Sequence, residues 1–71
     1  MHFVYIIESL SDGTWYVGSS SDVKKRLSEH NSGKTRSTKS HIPYKLSHIE
    51  EFENKSDALK RERLIKKIRS Y

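Results

Sequence analysis

Seventy-one residues leave room for one small domain, and a chain of that size buries only about 60% of the surface its unfolded form exposes, so functional side chains must share space with the core. The absence of cysteine excludes a disulfide framework and a thiolate zinc site, which leaves packing of Phe3, Trp15, Leu27, Leu46, Phe52 and Ile65 to stabilise the fold. Fourteen Lys and Arg against nine Asp and Glu give a formal charge of +5; this points to a polyanionic partner, and with no basic leader or bilayer-length apolar run a cytoplasmic protein is expected.

Phe3 to Glu8 is rich in β-branched and aromatic residues and reads as a strand, Asp12-Gly13 is a strong short hairpin signal, and Thr14 to Val17 reads as the returning strand. A loop with an even number of residues pairs positions of opposite parity, so Tyr5 and Tyr16 are expected on one face of the sheet. A two-residue turn at Asp12-Gly13 sets Tyr16 opposite Ser9, whereas a four-residue loop sets it opposite Ile7, one side-chain step from Tyr5; the sequence admits both. Gly18 ends this strand without a side chain, which fits either a bulge or the close approach of a ligand.

Ser20 or Ser21 can cap a helix starting at Asp22, with Val23 and Leu27 as its buried stripe and Asn31-Ser32-Gly33 as its stop. Arg26 and His30 share the i, i+4 relation and flank that stripe, where helix meets sheet. From Lys34 to Ile42 there is hardly an apolar residue, so a mobile basic loop is expected, ended by Pro43 and suited to a phosphate backbone. Tyr44 to Phe52 reads as the third strand, and Asn54 or Ser56 caps a helix from about Asp57 to Arg69. The order β-β-α-β-α predicts a single α/β sandwich over residues 1–71, a three-stranded sheet packed by helices.

The charge is polarised. Lys24, Lys25, Arg26, Lys34, Arg36, Lys39 and Lys45 lie in a stretch whose only acid is Glu29, and Lys60, Arg61, Arg63, Lys66, Lys67 and Arg69 surround Glu62. Glu50, Glu51, Glu53 and Asp57 gather between the two clusters. Such a surface steers nucleic acid toward one face, although an ordinary lysine-rich solvated surface has the same composition, and charge alone does not identify an enzyme.

Several side chains suit phosphodiester chemistry. Glu62 falls within the apolar arc of the last helix, formed by Ala58, Leu59, Leu64, Ile65 and Ile68, and a carboxylate there needs compensation. Either Mg²⁺ or an ion pair to Lys66 at i+4, Arg61 or Arg63 would supply it. The planar guanidinium of Arg26 can hold two phosphoryl oxygens and stabilise charge in a transition state, or it is simply one more residue of a basic helix. His30 has an ordinary pKa of about 6.5 and can take a proton, although a histidine near a helix end is more often structural. Aromatic residues on strands are usually core, and a phenol with a pKa of about 10 is a poor base, so Tyr5 or Tyr16 can act only if a metal-bound water, His30 and Arg26 lower that value. His2, His41 and His48 show no metal-ligand spacing.

The ordered set Tyr5, Tyr16, Gly18, Arg26, His30, Asn31 and Glu62 resembles the GIY-YIG nuclease family, in which two strand tripeptides bearing tyrosines precede a helix with an arginine and, four residues on, a histidine or tyrosine. Val4-Tyr5-Ile6 keeps the central tyrosine of the first tripeptide, and Tyr16-Val17-Gly18 keeps the tyrosine and glycine of the second. With His30-Asn31-Ser32-Gly33-Lys34 and Arg61-Glu62-Arg63, the chain looks closest to the small stand-alone bacterial members.

That resemblance implies an endonuclease that hydrolyses a phosphodiester with one Mg²⁺ or Mn²⁺ held by Glu62. Arg26 would sit on the phosphate, Tyr5 would be the base assisted by His30, and Tyr16 its partner, although the family uses the two tyrosines in more than one way. DNA is the expected substrate, in single-stranded, branched or repair form, contacted by Gly18, Lys24, Lys25, Asn31, Lys34, Arg36 and Lys39. Larger members carry further phosphate contacts after the glutamate helix, so low sequence selectivity is expected of this chain. The alternative is a non-catalytic basic module that binds nucleic acid on the same fold, and a weaker one is a domain that binds an acidic protein.

Overall fold

The computed structural model describes residues 1–34 and 39–69. Its elements run β1 (His2–Ser9), β2 (Trp15–Ser20), α1 (Val23–Asn31), a 3₁₀ turn (Lys39–His41), β3 (Tyr44–Phe52) and α2 (Lys55–Arg69). The sheet is antiparallel in the order β2-β1-β3, which puts β1 at its centre. Alternation along β1 sends Val4 and Ile6 to a cluster with Val17, Ala58 and Ile65 under α2, and Tyr5 and Ile7 to a cluster with Val23, Leu27, Tyr16 and Tyr44 under α1. Because β1 is covered on both faces, its sequence is apolar almost throughout instead of alternating.

The hairpin takes the longer loop. Tyr16 pairs with Ile7, and the four residues 10–13 are closed by Ser9 N donating to Thr14 O at 2.8 Å. Side chains select this register: the buried Ser9 Oγ accepts from Ser11 N and Asp12 N, both at 3.2 Å, and Asp12 Oδ1 accepts from Thr14 N at 2.9 Å. Gly13 takes φ 76° to complete the reversal.

Three local expectations are corrected. The cap of α1 is Asp22, whose carboxylate accepts from Lys25 N at 3.1 Å, while Ser20 Oγ accepts from Asp22 N at 3.0 Å and so supports the cap from outside. Strand β2 runs on through Gly18 to Ser20, because Val4 and Phe3 of β1 remain available to pair. Helix α2 begins at Lys55, since Asn54 Oδ1 caps it through Asp57 N at 2.9 Å.

Trp15 and Leu46, expected in the core, are exposed because they sit on the edge strands β2 and β3, beyond the reach of helices that cover the centre. Leu64 and Ile68 are exposed, on the flank of α2 that carries Arg61. The end of the basic loop is fastened rather than free: Ser9 Oγ donates to His41 O at 2.6 Å, Leu10 N to Pro43 O at 2.8 Å, and His41 Nδ1 lies 2.6 Å from Asp12 Oδ2. Arg36 lies outside the described residues. Among the described residues no helix is long and apolar enough to cross a membrane.

Candidate active site

Tyr5 is the hub. Its register partner on β2 is Gly18, and its ring lies directly over that glycine: a Cβ placed there would meet Tyr5 Oη at 2.6 Å and Cζ at 2.7 Å. Gly18 is paired regularly with no bulge, and the space over it is filled by the protein's own phenol. From the helix side, His30 Nε2 lies 3.1 Å from Tyr5 Oη, and the Arg26 guanidinium also reaches that oxygen. Arginine only donates, so the phenol oxygen accepts from Arg26; in the neutral His30 tautomer with Nε2 unprotonated, the Tyr5 O–H donates to that nitrogen. The result is an ordered chain from Arg26 through Tyr5 to His30.

Sequence spacing explains the arrangement. Arg26 and His30 lie one turn apart on α1 beside the Val23 and Leu27 stripe, so docking of that stripe on the sheet aims both at the tyrosines. Tyr16 packs on His30 with ring centroids 4.8 Å apart, and Tyr44 closes a third side at 6.2 Å. Burial and the nearby Arg26 cation depress the His30 pKa, which favours the neutral ring the hydrogen bond requires. For Tyr5, burial raises the pKa and outweighs the lowering by Arg26, with the Tyr16 and Glu62 charges adding to the rise. From the protein's own groups alone, the phenol is therefore held protonated.

Arg26 is also held by Glu29, Nη1 to Oε1 at 2.7 Å. That i, i+3 partner was legible in the spacing, although sequence reading treated Glu29 only as an isolated acid. Asn31 clamps the end of α1 to the start of β3: its Nδ2 donates to Tyr44 O at 3.0 Å and its Oδ1 accepts from Tyr44 N at 2.6 Å. Lys24, Lys25, Lys34 and Lys39 are exposed, the first two in the opening turn of α1 directly after β2.

Glu62 approaches from the other face of the sheet. Its side chain is only 17% exposed and pairs with Lys66 Nζ at 2.7 Å. Burial raises its pKa, but Lys66, the Ser19 hydroxyl and the His2 charge together hold it below the usual carboxylate value, so it is ionised. Ser19 follows Gly18 on β2 and pairs with Val4, which puts it on the α2 face. Edge strand β2 therefore carries the Tyr5 phenol over Gly18 on one face and Glu62 bonded to Ser19 on the other, and the Glu62 charge is felt at Tyr5. Among the described residues no group of three His, Cys, Asp or Glu side chains could enclose a metal ion. A single ionised carboxylate fits an ion such as Mg²⁺ that keeps most of its waters and completes its shell with substrate phosphate oxygens.

A small α/β domain with an arginine, a tyrosine and a histidine in one hydrogen-bonded chain at the edge of its sheet defines the class. The GIY-YIG catalytic domain family matches residues 1–70, and the chain belongs to this family, a nuclease superfamily whose members act on nucleic acid. It is 46% identical over 69 residues to a UPF0213 protein of Halobacterium salinarum, covering 96% of this chain and 88% of that one. A UPF0213 protein of Syntrophus aciditrophicus is 49% identical over 69 residues, covering 94% and 78%. The solution NMR structure of a UPF0213 protein from Bacillus halodurans has the same fold, with TM-score 0.57 and 37% identity over 93% of this chain and 70% of that one.

Proposed function

We propose that this chain is a metal-dependent endonuclease that hydrolyses DNA phosphodiesters, with single-stranded, branched or repair DNA as substrate. The observation that carries the reading is the Arg26, Tyr5, His30 chain, because it makes a protonated tyrosine competent as a base. As the attacking water gives a proton to Tyr5 Oη, the phenol passes its own to His30 Nε2, so no free phenolate is needed. Arg26 faces the charge that grows on the phosphoryl oxygens, and exchange of Glu29 for phosphate frees its second edge. A Mg²⁺ or Mn²⁺ held by Glu62 would supply charge neutralisation at the phosphoryl group. Lys24, Lys25, Lys34 and Lys39 contact phosphates without regard to sequence.

The Glu62–Lys66 ion pair is what favours the second reading, a non-catalytic binding module, since it satisfies the carboxylate without metal. Circular single-stranded and branched DNA incubated with Mg²⁺ or with chelator separates the two. Wild type is expected to cut only with metal, and Glu62→Gln to bind DNA as well or better without cutting. Binding with no metal-dependent product on any DNA form would establish the module instead. A Glu62→Gln protein that cuts normally but melts earlier would leave the glutamate as a structural partner of Lys66.

A further inference from the structure

The outer edge of β3 pairs with no strand among the described residues, and apolar side chains flank it on both faces of the sheet. On the α1 face, Leu46 and Ile49 are 42% and 45% exposed. They share that face, as partners of Ile7 and Tyr5, because a register shift leaves Ser47 out of the ladder. On the α2 face, Leu64 and Ile68 are 48% and 67% exposed. They follow Arg61 at i+3 and i+7, and Arg61 itself reaches β3 through a bidentate bond to Glu50, at 2.8 and 3.1 Å. An open edge of nine residues, about 30 Å long at strand spacing, is a template for another strand.

We infer that the partner is a second copy of this chain, joined β3 to β3 in antiparallel register about His48. With Ser47 counted out in both copies, this register sets Leu46 opposite the partner's Ile49 on one face, and Lys45 opposite the partner's Glu50 on the other, each pair occurring twice. Centring on Leu46 or on Ile49 loses the charge match, so the sequence of β3 selects one register. Glu50, one of the acidic residues between the two basic clusters, thereby meets a lysine, and the basic surfaces stay clear for a polyanion. A continuous six-stranded sheet results from two three-stranded ones, with both α1 layers on the same side and the two Tyr5 hydroxyls, each lying over Gly18 of β2, about 24 Å apart across five strand spacings. The inference does not rest on the nuclease reading.

Sedimentation velocity at about 100 µM in high salt, without nucleic acid, tests it. The expected mass is twice the 8.3 kDa chain, and Leu46→Lys with Ile49→Lys is expected to weaken association at least 100-fold while leaving the melting temperature of the exposed sites' fold within a few degrees. Because the chain has no cysteine, His48→Cys on the axis should be joined by a short thiol crosslinker far faster than Lys60→Cys on the outer side of α2. A monomer at all concentrations, with the two cysteine variants linked equally slowly, overturns the inference. So does a dimer that survives the double lysine substitution.

Discussion

Replacing Gly18 by alanine tests the geometry on which the site depends. Gly18 does not have a positive φ, so the backbone accepts alanine, and loss of unfolded-state freedom alone would stabilise the protein by about 0.4–1 kcal/mol. The new Cβ would lie 2.6 Å from Tyr5 Oη and 2.7 Å from Cζ. Tyr5 is 1% exposed and is bonded to His30 at 3.1 Å, so its ring must move by about 1 Å within a closed site to restore ordinary contact. Overpacking of this kind costs about 1–3 kcal/mol, which reverses the sign and lowers the melting temperature by about 5–20 °C in a domain of this size. The same displacement breaks the alignment of Tyr5 with Arg26 and His30, for which a loss of about 10²-fold in cleavage rate is expected. Thermal melts of Gly18→Ala in wild type and in a Tyr5→Leu background complete the cycle. With the phenol gone, the alanine should be neutral or stabilising. A Gly18→Ala protein that melts at or above the wild-type temperature and cleaves at the wild-type rate would refute the packing of Tyr5 over this strand.

Arg26→Ala should lower cleavage by about 10²–10³-fold with a smaller loss of DNA binding, and Lys24→Ala and Lys39→Ala the reverse, as read by kcat against Kd. DNA affinity should fall with salt at a log–log slope of about −3 to −4 if roughly four phosphates are neutralised, and a salt-independent Kd measured by fluorescence anisotropy would contradict the basic footprint. Because the folded His30 pKa is depressed, the unfolded chain binds its proton first as pH falls below about 6.5. The His30 contribution to stability is therefore intact above that pH and is lost as pH drops toward the folded value. Urea midpoints should show this acid-side loss shrinking in His30→Gln; a larger loss in the variant would mean that the ring is not buried neutral. Asn31→Ala removes both bonds to the Tyr44 backbone and should cost about 1–2 kcal/mol in melts while DNA affinity holds. Weakened DNA binding at unchanged stability would return Asn31 to the substrate.

Local chemistry in the sequence determined the elements. Pro43 and Asn54 punctuate β3 at both ends, so Tyr44 to Phe52 was legible to the residue, and for either even-numbered loop period-two parity places Tyr5 and Tyr16 on one face. The i, i+4 spacing of Arg26 and His30, the apolar arc around Glu62 and the match to the GIY-YIG family were likewise written in the chain. Tertiary contacts decided the rest. Which hairpin register forms depends on Ser9, whose hydroxyl is held by His41 more than thirty positions away, and no local signal carries that contact. What fills the space over Gly18, and where Asn31 turns its amide, followed only once α1 had docked against β1 and β3. The protonation states of Tyr5 and His30 were decided last, because they are set by burial and by the Arg26 charge, quantities that exist only in the packed molecule.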